Sequence, residues 1–333
     1  MPQQVPVEEL WNRRIAPQLG LSTSAAIESV PEGYGTQVYF VGSEEGKFVL
    51  RLYPSRSVSR MRNYLEANRH FRKIGLPAPE TIGEGREGET AWILERKLEG
   101  QSFKDLAGDS EATQKAATAL AQLHSHERNR YGEVETWGGF RLTLRWRQRF
   151  MERWSKITRL FPELKSVGPT VETWFQSWTD SFSPSRYQLL HGDFHPGNLC
   201  LLPNGEVAFL DLRTPRFGFG HLELLEAVHH FTGEDPDGWT PFLDPYLENR
   251  DDETRNLYAE YGPSLHAVFH LRHADRLADL AIGDRGNAED RRRWERNAID
   301  SWGRFAEIAG IASPEVAVER ETAFPTRGME TVA

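Results

Sequence analysis

Residues 191–198 read His191-Gly192-Asp193-Phe194-His195-Pro196-Gly197-Asn198, and a short hairpin then carries the chain to Asp211. With Gly192, Pro196 and Gly197 in it, the stretch reads as a loop. His191 and His195 therefore do not share a helical face as a pair of metal ligands would. Beyond the loop, residues 198–202 and 207–211 read as strands, with Asn204-Gly205 as the turn between them. The pattern sets one carboxylate, Asp193, five residues before an amide, Asn198, and ends the next strand on a second carboxylate, Asp211.

Phosphoryl transfer needs such a set, because it is driven chiefly by positioning and by neutralising charge on the transferred group. Asp193 can stand near an acceptor hydroxyl. Asn198 and Asp211 offer the amide and carboxylate oxygens that Mg²⁺ prefers. Phe194 and Pro196-Gly197 stiffen and turn the loop between them.

Upstream, the first third reads as strands around one helix. Residues 36–41 (TQVYFV) and 48–53 (FVLRLY) are β-branched and aromatic, with Gly42 and Gly46 at the turn. A helical pattern runs over 58–74, with Met61, Leu65 and Phe71 near one face, and Gly75, Pro77 and Pro79 stop it. Residues 90–95 (TAWILE) form another strand. The rest is mostly helical. Asp109 or Ser110 caps a helix through Leu120 to about His126, and helices are expected over 145–157, 171–178 and much of 222–310. A short β-rich island at 188–211 interrupts them. The tryptophans, among them Trp137, Trp146, Trp154, Trp174 and Trp178, are read mainly as helix packing.

The string HGDFHPGN, the strand VAFLD and Leu123-His124 of LAQLH together closely resemble the aminoglycoside phosphotransferase and choline kinase family, which includes bacterial stress-response Ser/Thr kinases. The resemblance covers about residues 30–280. The element order reads as a bilobal plan, with a β-rich N-terminal lobe over 1–95, a mostly helical C-terminal lobe over 96–313 and a tail over 314–333 expected to be disordered, and the resemblance implies that this α+β plan is the protein-kinase-like fold. The resemblance implies ATP and Mg²⁺ as cofactors, Asp193 as catalytic base, His191 as a brace of the loop, and Asn198 and Asp211 as metal ligands. It also places Gly33 and Gly35 in a loop over the phosphates and Glu95 to Gly100 as the hinge whose backbone meets the nucleotide base. Arg51 stands where the family usually carries a nucleotide-binding lysine, and Glu66 matches the acid that pairs with it. Arginine binds phosphate through a planar fork that lysine lacks. If Arg51 holds that position, Arg51→Lys is expected to retain or improve nucleotide binding. Two residues beyond Asp211 the family often carries an acid. This chain has Arg213 there, with Arg216 close behind. Either they favour an anionic acceptor, or they pair with Glu223 or another nearby acid.

Composition narrows the partners. A net charge of −9 over 333 residues argues against a nucleic-acid-binding surface. The basic run Arg291-Arg292-Arg293, set among Glu289, Asp290 and Glu295, reads as a solvated helix face. The single cysteine, Cys200, excludes an intrachain disulfide and reads as a small buried hydrophobe. His266, His270 and His273 share a helical stripe but read as packing. No stretch is apolar enough to span a membrane, and the first residues do not read as a secretory signal, so a cytoplasmic enzyme is expected. The expected partners are a nucleotide and a hydroxyl-bearing acceptor, either a small molecule or a protein Ser/Thr. The alternative is a kinase-fold nucleotide- or partner-binding protein without transfer activity, for which Arg51 at the lysine position is the sequence argument.

Overall fold

The computed structural model describes residues 6–30, 36–133, 142–182, 186–212, 216–233, 238–283, 286–314 and 316. The loop with Gly33 and Gly35, Arg213, Trp137 and nearly all of the expected tail lie outside the described residues. The chain divides into two compact units, Met1–Gly139 with Pro184–Asn256, and Phe140–Ser183 with Leu257–Ala333.

The first unit opens with two short helices, α1 (Val7–Leu10) and α2 (Ala16–Leu19), joined by a π-helical turn. An antiparallel sheet follows, built from β1 (Ala26–Val30), β2 (Gln37–Ser43), β3 (Gly46–Pro54), β4 (Thr81–Glu87) and β5 (Thr90–Arg96), in the order β1-β2-β3-β5-β4. Strand alternation decides its two faces. Phe48, Leu50 and Leu52 of β3 join Trp92 and Leu94 of β5 on one face, packed against Leu10, Trp11 and Ile15. Burial of each such side chain is worth about 1.5–3 kcal/mol. The opposite face carries Arg51 and Glu95 toward helix α3 (Val58–Lys73), whose buried side includes Met61, Tyr64, Leu65, Asn68 and Phe71.

After β5 the chain enters β6 (Gln101–Ser102), which pairs with β10 (Leu199–Leu201). A Cβ on Gly100 would lie 2.4 Å from the Leu201 carbonyl oxygen, so glycine is needed at this close approach. Residues on both sides of the lobe boundary expected at 95/96 fall in the first unit. Helix α4 (Ser110–His124) is capped by Asp109, whose Oδ1 accepts from Glu111 N at 2.8 Å and Ala112 N at 3.1 Å. The β island forms two small sheets. One is β11-β10-β6, with β11 at Val207–Phe209. The other runs β7-β9-β12-β8, from β7 (Glu127–Arg128), β8 (Gly132–Glu133), β9 (Tyr187–Leu190) and β12 (Arg216–Gly218). Cys200 is buried in β10, as a small hydrophobe would be.

The second unit is helical: α5 (Leu142–Leu160), α6 (Gly168–Ser181), most of α9 (Asp252–Ile282) and α10 (Ala288–Ala309). Aromatic rings fill it. Phe150 stacks on Phe175 at 4.5 Å between centroids, Trp154 meets Trp302 at 5.2 Å and Trp174 meets Phe305 at 5.3 Å. Trp154, Trp174 and Trp178 are therefore packing residues, as read. Arg291, Arg292 and Arg293 are exposed on α10, and Arg293 pairs with Asp290 at 2.9 Å. His266 is hydrogen-bonded to the Tyr258 hydroxyl at 2.8 Å, and His273 stacks on Phe269. Among the described residues no helix is long and apolar enough to cross a membrane.

Candidate active site

Strand β9 delivers the chain to His191, and the loop that follows is held by its own polar groups. Gly192 has φ 87°, a conformation in which a Cβ is strained. Asp193 N donates to His191 Nδ1 at 3.3 Å, and Asn198 Nδ2 donates to the Asp193 carbonyl at 3.0 Å. Gly197 N donates to His195 Nδ1 at 3.0 Å. That bond places the His195 ring proton on Nε2, 4.0 Å from Asp193 Oδ2. The Asp193 carboxylate is thereby fixed by its backbone and left one-quarter exposed. His191 is buried among the rings of Phe71, Phe194 and Phe209. Burial depresses its pKa below the ordinary imidazole value, so it sits in the loop as a neutral ring.

The loop is tied to the strand that ends in Asp211. Leu210 N donates to the Asn198 carbonyl at 2.8 Å, which sets Asp211 beside Asn198. Asp211 has φ 48°, in the left-handed region, where aspartate is among the more tolerant side chains. Its carboxylate is half-exposed and lies 3.5 Å from Arg51 Nη1. Asn198 spends its amide nitrogen on the loop, which leaves Oδ1 as the group it can offer a cation. One amide oxygen and one exposed carboxylate on adjoining backbone fit Mg²⁺, which takes one or two protein oxygens and completes its shell with water and substrate phosphates. Among the described residues no group of three His, Cys, Asp or Glu side chains could hold a metal, so no all-protein cage competes with that arrangement.

A residue given no site role from sequence anchors the loop from below. Helices α7 (Gly220–Thr232) and α8 (Thr240–Glu248) pack on α4. From α7, Glu223 accepts from His191 N at 3.0 Å and Gly192 N at 2.6 Å. Its Oε2 also meets His124 Nε2 at 3.0 Å, and His124 Nδ1 meets the Tyr246 hydroxyl at 2.7 Å. The carboxylate can only accept, which puts the His124 proton on Nε2 and makes Tyr246 the donor to Nδ1. Burial would raise the Glu223 pKa, but the His124 hydrogen bond and the loop N–H groups overcome it and hold the acid ionised below its ordinary range. This explains His124 of LAQLH, which the sequence placed in the motif without a role. The legible signal for Glu223 is an acid inside the apolar run Leu222-Glu223-Leu224-Leu225. Because Glu223 is occupied in this way, it is not the partner of Arg216. Arg216 lies in β12 opposite Leu190 and Glu133.

Arg51 is nearly buried, and its acidic partner is not the expected one. Glu66 lies on the exposed side of α3, two residues from the buried Tyr64, and is rotated away from the sheet. The partner is Glu95, whose Oε2 accepts from Arg51 Nε at 3.0 Å. Glu95 Oε1 accepts from the Tyr64 hydroxyl at 2.5 Å and faces Asn68 Nδ2 at 3.5 Å. The Tyr64 ring lies under the Arg51 guanidinium, 5.0 Å from its centroid. Burial opposes the Arg51 charge, and Tyr64, Glu95, Tyr53 and Asp211 outweigh it and hold its pKa above the ordinary value. Of the hinge expected over Glu95 to Gly100, Glu95 and Arg96 belong to β5. The Glu95 backbone lies within the sheet, between Val49 of β3 and Thr81 of β4, and its side chain points at Arg51. The segment without regular structure begins two residues later, at Lys97.

Within the first unit Asp193, His191, Asn198, Asp211, Arg51 and Glu95 stand together, and the exposed Glu66 stands apart from them. Comparison with curated proteins finds no match. Among solved structures, an ethanolamine kinase from Plasmodium vivax superposes with a TM-score of 0.59 at 12% identity, covering 89% of this chain and 86% of that one. A spectinomycin phosphotransferase in complex with ADP and spectinomycin gives 0.55 at 12% identity, covering 93% and 98%. A thermostable mutant of aminoglycoside phosphotransferase APH(4)-Ia, in complex with AMP-PNP and hygromycin B, gives 0.55 at 16% identity, covering 89% and 99%. Likenesses at these identities speak for the fold, which is the α+β, protein-kinase-like one. The model of the phosphotransferase enzyme family matches residues 26–261, well over half of the sequence, and the chain belongs to that family.

Proposed function

We propose that the protein transfers the γ-phosphate of ATP, with Mg²⁺, to the hydroxyl of a small molecule. The observation that carries this reading is the juxtaposition of the one-quarter-exposed Asp193 carboxylate, Asn198, Asp211 and the charged Arg51 in one compact unit. Asp193 accepts the proton of the acceptor hydroxyl as its oxygen forms the new bond to the γ-phosphorus. The bond from that phosphorus to the β–γ bridging oxygen breaks, and ADP leaves with the electron pair. Bound at Asn198 Oδ1 and the Asp211 carboxylate, Mg²⁺ would neutralise phosphate charge. Arg51 supplies fixed positive charge and guanidinium donors beside it. A small-molecule acceptor is favoured because the structural neighbours named above are an ethanolamine kinase and antibiotic phosphotransferases.

Thermal melts with and without Mg·ATP test the nucleotide part. A ligand at a hundred times its Kd stabilises the native state by about 2.7 kcal/mol, so the melting temperature rises. Incubation with γ-labelled ATP and a metabolite panel tests transfer, with label expected on a small hydroxyl compound. No shift at saturating Mg·ATP would overturn the nucleotide assignment, and label found only on protein would overturn the acceptor class.

A further inference from the structure

We propose that Glu95, supported by Tyr64 and Asn68, is the positioning residue that aims Arg51 at the nucleotide phosphates. This rests on the nucleotide reading above and adds a role for three side chains around Arg51. The geometry divides the guanidinium into two ends. Nε is committed to Glu95 Oε2 at 3.0 Å, while Nη1 extends to within 3.5 Å of Asp211, the proposed metal ligand. Glu95 is 1% exposed, and its second oxygen is held by the Tyr64 hydroxyl and faced by Asn68. Asn68 is itself fixed to the Pro79 carbonyl at 2.9 Å. The carboxylate therefore has no freedom to follow Arg51. It sets the fork, and the Nη edge of the fork points toward the metal side of the site, at Asp211.

Tyr64 and Asn68 are one helical turn apart and project from α3 toward β5. Glu66, between them, projects outward and reaches none of these groups. An arginine at position 51 follows from this layout. A guanidinium bonds one anion through Nε and another through its Nη edge, whereas a single ammonium would have to serve both. The expectation that Arg51→Lys retains or improves binding is thereby reversed.

Titration calorimetry of the full chain with Mg·AMP-PNP, and with Mg·ADP as a second probe, tests the assignment. Glu95→Gln keeps the shape and removes the charge, and it should weaken Mg·AMP-PNP binding about ten-fold, the scale of one charge-assisted contact. Arg51→Lys should weaken it similarly, and Glu66→Gln should leave it unchanged. In an Arg51→Met background, Glu95→Gln should add no further loss, because Glu95 acts through Arg51. A merely structural Glu95 would lower thermal stability and leave both affinities at the wild-type value, which would overturn the proposal. So would a loss on Glu66→Gln or additive losses in the double variant. Should Glu95→Gln fail to fold, Tyr64→Phe removes one hydroxyl from the support of Glu95 and should weaken binding in the same direction. Unchanged affinity in that variant would then sink the idea. If the wild-type protein binds neither probe, the nucleotide reading itself falls and this inference with it. If it binds and the Glu95 and Tyr64 variants match it, only the positioning role is lost.

Discussion

Asp193 and Asp211 are both acids at the end of a short segment, yet their surroundings give them different jobs. Asp193 has His195 at 4.0 Å, whereas Asp211 faces Arg51. Asp193→Asn should cut transfer by about 10²–10⁴-fold, the range for loss of a general base, while the Kd for Mg·ATP stays near the wild-type value. Asp211→Asn keeps a side chain that tolerates the left-handed backbone, so it should fold and yet lose Mg²⁺-dependent nucleotide affinity. Steady-state kinetics beside titrations separate the two, and full activity of the Asp193 variant would remove its assignment. Both acids and Asn198 were legible in the sequence because spacing along one loop and one hairpin brings them together. Glu95 and Glu66 were not sorted correctly, since the choice depends on which side of α3 meets the sheet. A local window cannot state that fact, although the buried set Met61, Tyr64, Leu65, Asn68 and Phe71 records it once the helix is packed.

At the scale of elements, strands with strong side-chain signals were readable and those defined by their neighbours were not. TQVYFV, FVLRLY and TAWILE became β2, β3 and β5, the inner strands of the large sheet. β4 has the sequence TIGEGRE, largely polar with two glycines, and exists because β5 offers it a partner along its edge. β12 likewise forms against β9 and β8. The same non-local logic makes α7 a functional element. Glu223 reaches from it to the N–H groups of His191 and Gly192, so the helix holds the HGD loop in place. Glu223→Gln retains an acceptor but loses the charge and presents an amide N–H₂ toward groups that donate. It should cost about 1–3 kcal/mol, the penalty for a buried donor left unsatisfied. Because the loop carries Asp193, kcat should fall along with the urea midpoint. A variant with lowered stability and wild-type kcat would show that α7 supports the fold but not the geometry of the loop.

Over the whole molecule, pH sets two opposing electrostatic effects against each other. The chain carries a formal charge of −9 at pH 7, and acidification toward its isoelectric point of about 5.7 relieves that self-repulsion, which by itself would stabilise the folded state over that range. Buried histidines act in the other direction. His221 is 2% exposed, stacks on Phe219 at 4.8 Å and faces the Thr254 carbonyl at 3.3 Å. Burial, only partly offset by that carbonyl, pushes its pKa down to about 4. His124 and His191 are depressed in the same direction by burial. Unfolded histidine titrates near 6.5, so below that pH the unfolded chain binds protons that the folded chain refuses. Stability from His221 is therefore complete above about pH 6.5 and lost progressively down to about 4, by on the order of 3 kcal/mol. Surface charges are screened beyond roughly 8 Å in physiological salt, while burial of a ring is not, so the histidines should prevail. Urea midpoints are expected to fall steadily from pH 7 to pH 4.5, and His221→Gln should flatten part of that slope even if it lowers the midpoint at neutral pH. Below about pH 4.3 the ionised Glu223 adds its own loss in the same sense, because its folded pKa lies below the unfolded one. A midpoint that rises on acidification, or an unchanged slope in His221→Gln, would show that relief of net charge dominates and that His221 is not held neutral by its burial.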